Sequence, residues 1–271
     1  MDLKSINFTV LLPILERKDI IEGFPLSLES IFSNTLVPDQ VVVTVDGLVS
    51  EDFKKIILYF QNKFSLDIVW TVKKVGLDKA LNMGLEKCRN EIIFRADGDD
   101  INLKDRFAIQ LPILLNGCDV VGSYVDEYDE KGIYLSTREV PISSEKILKK
   151  VVYRNPMNHM TVGFRKSALL EVGGYPELFL KGDYGLWIKL MASKKIFKNV
   201  DLSLVKAVTG KRMIKDRGGL KYVASEFMLQ KYLLNHGFSN IFFSFFLFIS
   251  RSIVFLSPYK IRDLFYRLFL R

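Results

Sequence analysis

GLDKALNMGLEKCRNEIIFRADGDD, residues 76–100, carries one period of the pattern that decides the fold. Leu77, Ala80, Leu81 and Leu85 recur at the spacing of one helix face, and Glu91–Arg95 after them is a short apolar run of strand length. Toward the N-terminus the alternation repeats. Phe53, Ile56, Ile57 and Phe60 mark a helix face ahead of the run Leu66–Val72, and Val41–Val45 and Phe8–Leu12 are further runs of strand length. Alternating strands and helices predict an α/β fold with a parallel sheet covered by helices. Toward the C-terminus the pattern loosens into a helix around Leu103–Leu115, a strand at Asp119–Tyr124 and a turn at Glu130–Gly132, which predict an antiparallel extension. A strand-like His159–Phe164, a helix at Lys166–Glu171, the turn Gly173–Pro176 and a helix from Asp183 to about Ala192 follow.

The sharpest chemical feature is the end of the opening stretch. Asp97, Asp99 and Asp100 place three carboxylates within four residues, directly after an apolar strand. Such crowding is costly unless cations answer it. In an open α/β sheet, ligands bind beyond the carboxyl ends of the strands, which is where these acids are delivered. Oxygen-only ligands suit Mg²⁺ or Mn²⁺, and such an ion takes few protein carboxylates while substrate phosphates complete its shell. An Asp-rich strand end also reads as a solvated loop and helix cap. A second polar set downstream favours a site: Asn158 and His159, then Asp183 with Tyr184 and Trp187. His159 reads either as a satisfied structural histidine or as one metal ligand among oxygens, and Asp183 taken alone reads as a helix N-cap.

Several classes drop out. No GxGxxG follows the first strand and no GxxxxGK[ST] occurs, which removes dinucleotide oxidoreductases and P-loop enzymes. There is no GxSxG elbow, and two histidines in the whole chain weaken any serine or cysteine hydrolase reading. Cys88 and Cys118 have neither CxxC spacing nor a nearby histidine, which fits a reducing compartment. The N-terminus lacks the regions of a secretory signal, so the expected location is cytoplasmic.

The net charge is +8, and residues 241–271 hold Arg251, Lys260, Arg262, Arg267 and Arg271 against Asp263, five minus one, or half of that excess. These charges are interleaved with Phe and Leu, which points to an anionic membrane surface and away from nucleic acid. Ile241–Leu256 contains one charge, Arg251, and is shorter than the ~20 apolar residues of a bilayer-spanning helix. The chain is therefore divided into a catalytic domain, 1–235, and a basic apolar helical tail, 236–271, that associates with the membrane; its last part, Pro258–Arg271, suits a helix lying in the headgroup region with aromatics down and arginines out. Ordinary packing of the tail on the domain, or burial against a second copy, is the alternative, and oligomeric state stays open.

These residues resemble the family 2 glycosyltransferases of the GT-A fold, especially the bacterial enzymes of exopolysaccharide, capsule and O-antigen synthesis, of the amylovoran-biosynthesis type. The resemblance rests on Gly76–Asp100 together with NPMNHMTVGFRKSALLEVGGY (Asn155–Tyr175) and DYGLW (Asp183–Trp187), in order and spacing, with Arg106 and Gln110 where an Arg and a Gln usually follow the acids. It implies a Rossmann-like, mostly parallel sheet with C-terminal helices. It further implies that Pro13, Asp46, Gly76 and Asp97 bind a nucleotide-sugar donor, that Asp99 holds the metal, beside which His159 stands as the further ligand read from the residues above, and that Asp183 is the general base. One departure stands out: the family usually has Glu before this Asp, and here the residues are Lys181 and Gly182.

The function expected on this basis is inverting transfer of a hexose, from UDP by preference, to a polyprenyl-diphosphate-linked saccharide at the inner face of the bacterial plasma membrane. Two rivals remain at this stage. An aspartate-dependent phosphotransferase also places DxD after a strand, and a sugar-nucleotide-binding scaffold without catalysis would account for the change at Gly182.

Overall fold

The computed structural model describes residues 3–209 and 217–269. Among them nine strands form one sheet in the order β3-β2-β1-β4-β8-β6-β9-β5, with β7 paired to β6. The strands are β1 Thr9–Ile14, β2 Gln40–Val45, β3 Asp67–Trp70, β4 Ile92–Arg95, β5 Ile101–Asn102, β6 Val120–Tyr128, β7 Tyr134–Arg138, β8 Gly163–Arg165 and β9 Phe197–Val208. The first four pair in parallel. Their connections are the helices α1 Lys18–Phe32, α2 Glu51–Phe64 and α3 Leu77–Lys87. β1 and β2 are buried at every position, as expected for strands covered on both faces.

Beyond β4 the sheet turns antiparallel. β8 runs against both β4 and β6, and β5 against β9, while β6 and β9 are parallel. The remaining helices are α4 Arg106–Leu115, α5 Ser144–Lys150, α6 Lys166–Glu171, α7 Gly182–Ala192, α8 Leu220–Asn235, α9 Ile241–Leu256 and α10 Tyr259–Phe269. One core, built around Phe8, Phe94 and Phe107, lies on the α1/α2/α4 side of the sheet, and a second, built around Leu81, Phe164 and Trp187, lies on the α3/α7 side.

The structure corrects three local expectations. The segment expected as a strand from His159 begins with a 3-10 turn, His159–Thr161, because Thr161 turns back to bond the Asn158 carbonyl through both its N–H (2.9 Å) and its hydroxyl (2.8 Å). α4 starts at Arg106, since Ile101 and Asn102 are taken up in pairing with β9. α7 starts at Gly182 with Lys181 as its N-cap residue, so Asp183 lies inside the first turn and does not cap it.

The expectation of outward arginines over Pro258–Arg271 fails at Arg262, and the side chains of Arg267 and Arg271 lie outside the described residues. Arg251 turns inward to the fully buried Glu226 of α8 and to the Tyr153 carbonyl. Arg262 is buried and donates to the carbonyls of Phe255 (3.1 Å) and Ser257 (3.4 Å) at the end of α9. A buried carboxylate and exposed helix-end carbonyls compete for guanidinium donors, and both lie on the protein side. The opposite face of α9 presents Phe242, Phe245, Phe246, Ile249 and Ile253 to solvent, while Ser244 and Ser252 are buried. Among the described residues, no helix is long and apolar enough to cross a membrane.

Candidate active site

Parallel strands end at one edge, and this sheet uses that edge. β1 ends at Ile14, β2 at Val45 and β4 at Arg95, so Pro13, Asp46 and the loop Asp97–Asp100 emerge side by side. β8 is antiparallel to β4, which brings its N-terminal end, and the turn His159–Thr161 before it, to the same edge. The Arg95 N–H donates to the Val162 carbonyl at 2.8 Å and seals that junction.

Pro13 is buried in β1 opposite Thr44. Asp46 is buried, and its carboxylate accepts the N–H groups of Val75 (2.6 Å) and Gly76 (3.0 Å). Gly76 has φ +93° and precedes α3; a Cβ there would meet no atom within 4 Å, so it is the backbone angle that requires glycine. Asp46 thereby fixes where α3 begins. A base reaching Asp46 would find its oxygens already engaged by these two amides.

The acid loop is held from several sides. Ser27 of α1 donates to the Asp97 carbonyl at 2.7 Å, and the Asp97 carboxylate contacts the guanidinium of buried Arg95. Burial opposes the charge on Arg95, but Asp97 outweighs it and keeps the guanidinium charged. Asp99 lies 3.5 Å from Arg17. Burial and the neighbouring Asp97 push Asp99 up to about 6. Asp100 is buried with Oδ2 unbonded, and burial, Asp97 and Asp99 hold its carboxyl well above the usual range against Arg95 and Arg138. Crowding thus raises two carboxyls of the loop, which a divalent ion would relieve; Asp99 is the candidate ligand, since the similarly exposed Asp97 is taken up by Arg95. Among the described residues no three His, Cys, Asp or Glu side chains cluster as a metal cage, which leaves phosphate oxygens to complete any shell.

Arg106 and Gln110 form the scaffold beneath. Arg106 is fully buried and donates to the Arg95 carbonyl (2.6 Å), while Gln110 donates to the Thr161 carbonyl (2.9 Å). Burial and Arg95 lower the Arg106 guanidinium to about 9.

His159 Nε2 bonds the Tyr175 hydroxyl at 2.9 Å, and its ring stands against Trp187, centroids 5.9 Å apart. Burial and the charge of Arg95 hold its pKa well below the ordinary value, so the imidazole is neutral. A neutral ring suits a metal ligand, but this nitrogen is spoken for by Tyr175. Asp183 accepts from Asn155 Nδ2 at 2.7 Å, a bond to another segment rather than to its own helix. Tyr175 joins the two halves: burial raises its pKa, and Arg95, Asp183, Asp78 and Asp97 all act on its hydroxyl. The acid loop and Asp183 are therefore within electrostatic reach of one side chain. A cavity of about 470 Å³ lies elsewhere, lined by Lys149, Tyr153, Asn240 and Phe243 among others, and none of the predicted site residues lines it.

Sequence reasoning missed Arg17, Arg95, Asn155 and Asp78. Arg95 and Asp78 stood inside the stretch that decided the fold, yet an arginine at a strand end and an acid in a first helical turn are ordinary. Asn82, which bonds the backbone of Tyr175 through both its oxygen and its nitrogen, was legible only as part of a family pattern.

Comparison with known proteins places this geometry. The profile of the family described as Glycosyl transferase family 2 matches residues 9–174. The chain is 36% identical over 210 residues to the UDP-Gal:alpha-D-GlcNAc-diphosphoundecaprenol beta-1,3-galactosyltransferase of Escherichia coli, covering 75% of each chain. It is 34% identical over 261 residues to the amylovoran biosynthesis glycosyltransferase AmsE of Erwinia amylovora, covering 96% of this chain and 97% of that one. The fold matches S. aureus TarS 1-349 in complex with UDP-GlcNAc with a TM-score of 0.68 at 18% identity, over 98% of this chain and 76% of that one.

Proposed function

The chain belongs to glycosyl transferase family 2, and from that premise we propose that it moves a hexose from a UDP-sugar to a saccharide carried on a polyprenyl diphosphate, with inversion at the anomeric carbon. Family membership sets aside the phosphotransferase reading. The donor and acceptor classes are supported by the names of the relatives, one of which uses UDP-Gal and a diphosphoundecaprenol-linked sugar. The observation that carries the mechanism is that α7, which bears Asp183, packs Trp187 against His159 (ring centroids 5.9 Å) in the turn before β8, the strand paired with the β4 that delivers the acid loop.

In the proposed reaction the donor's nucleotide lies along the edge formed by Pro13, Asp46 and Gly76, with its ribose near Asp97. An acceptor hydroxyl attacks the anomeric carbon, the bond from that carbon to the diphosphate oxygen breaks, and the hydroxyl proton passes to Asp183. A positioned base typically contributes ~10²–10⁴-fold. Asn155, bonded to Asp183 Oδ2, leaves the other oxygen to face the acceptor. Bound at Asp99, Mn²⁺ or Mg²⁺ would supply Lewis-acid stabilisation for the departing diphosphate. His159 could join that ligand set only by releasing Tyr175 or offering its other ring nitrogen.

The lipid-linked acceptor and the exposed apolar face of α9 support action at the anionic inner surface of the membrane. That face, more than the arginines, is the proposed membrane contact.

The test is Asp183→Asn. Thermal shift by UDP-sugars with Mn²⁺ should persist while transfer falls by ~10²-fold or more. Near wild-type turnover would remove Asp183 as the base. A wild-type chain that binds UDP-sugars but neither transfers nor hydrolyses them would support the scaffold alternative.

A further inference from the structure

Position 182, where the family resemblance leads one to expect glutamate, is glycine, yet the space beside it is filled. A Cβ at Gly182 would fall inside the carboxylate of Asp78, meeting its Oδ1, Cγ and Oδ2. Asp78 reaches this place from a different element, the first turn of α3, whose start is set by the bond from Gly76 to Asp46. A carboxylate on α3 thus stands where a side chain on α7 would otherwise stand.

Asp78 is also unusually placed for an acid. Its neighbour Glu177 is answered by Lys79 at 3.1 Å, whereas among the described residues no hydrogen bond or ion pair holds the Asp78 carboxylate. Burial, then the charges of Asp183 and Glu177, push it up to about 7. An unanswered carboxylate next to another acid weakens the fold, and such arrangements gather where a ligand uses them. Among the described residues neither oxygen has a donor. Sugar hydroxyls are donors, and the proposed reaction brings one to Asp183 next door.

We propose that Asp78 is an acceptor-positioning residue, which accepts a hydrogen bond from a hydroxyl of the incoming sugar beside Asp183 and takes over the place left free by Gly182. This rests on the assignment of Asp183 as base. The two carboxylates then have separate duties: Asp183 receives the proton of the attacking hydroxyl, and Asp78 holds the ring so that this hydroxyl points at the anomeric carbon. The site keeps an acid in that space, but supplies it from the opposite wall.

The experiment measures transfer by the full chain from UDP-galactose to GlcNAc-diphosphate on a short polyprenol, with Mn²⁺. Asp78→Asn, which preserves shape, should raise the acceptor KM by roughly tenfold or more, the worth of a hydrogen bond to a charged group, with the donor KM unchanged. Gly182→Glu alone forces two side chains into one space and should lose transfer. Combining it with Asp78→Ala returns one carboxylate to that space and should bring the acceptor KM back to within about threefold of wild type, a small residue of the hydrogen-bond effect. Folding of each variant is read from its thermal shift with UDP. Wild-type acceptor KM and kcat in both Asp78→Asn and Asp78→Ala would overturn the proposal, as would a double variant no better than Asp78→Ala. A wild-type chain inert with this acceptor across UDP-, GDP- and dTDP-hexoses would instead overturn the functional reading beneath it.

Discussion

Replacing Arg251 with alanine probes how the C-terminal helices are held. Glu226 of α8 is fully buried; Arg251 of α9 contacts its Oε1, Gln230 donates to the same oxygen at 2.7 Å, and Lys181 stands 3.8 Å from Oε2. Removing one partner of a buried ion pair costs ~3–5 kcal/mol, because the other charge stays behind in a poor solvent. Lys181 and Gln230 still answer Glu226, which places the expected loss at the lower end, about 3 kcal/mol. For a chain of this size each kcal/mol moves Tm by about 2–4 °C, so the midpoint should fall by roughly 6–12 °C. Replacing the pair together, Arg251→Ala with Glu226→Gln, removes the stranded charge and should recover all but about 1 kcal/mol. Thermal and urea unfolding of the four proteins of this cycle give the coupling directly. A loss below about 1 kcal/mol for Arg251→Ala, additive with Glu226→Gln, is the behaviour of a surface arginine and would refute the inward placement.

Three further outcomes are expected. Asp99→Ala should abolish the Mn²⁺-dependent part of UDP binding in calorimetry while leaving metal-free binding in place; an unchanged Mn²⁺ effect would remove Asp99 as the ligand. Asp78, raised from 3.8 to about 7, binds its proton more tightly in the folded state, so the folded chain should lose relative stability as pH rises from about 4 to 7. The shift alone corresponds to ~4 kcal/mol, reduced to about 1–2 because the group is partly open to solvent; Asp78→Asn should remove that slope in unfolding measured between these pH values. Phe242→Asp with Phe246→Asp should cut cosedimentation with anionic vesicles by about tenfold or more, since each buried aromatic is worth ~1.5–3 kcal/mol, while Arg251→Ala should affect stability more than vesicle binding.

Much of the fold could be read along the chain. The parallel half follows from the alternation of β-branched runs with helix-spaced apolar residues, and β4 ends at Arg95, as the run Glu91–Arg95 indicates. The acid loop also lies beyond a strand end, because Asp and Gly favour turns and are depleted in strands. Boundaries were weaker wherever a distant partner intervened. Ile101 and Asn102 became β5 only because β9, about a hundred residues on, offered an edge.

The sequence by itself determined which residue types were available and at what local period: the sheet, its covering helices, and three acids at a strand's end. Only the tertiary structure decided which charges meet. Arg251 turned inward because Glu226 was buried beneath it, His159 bonded Tyr175, and Asp78 came to rest in the space beside Gly182. Periodicity is a property of neighbours on one helix or strand, whereas the direction of a charged side chain is set by the dielectric and the counter-charge on whatever element packs against it, and the order of residues along the chain does not contain that information in readable form.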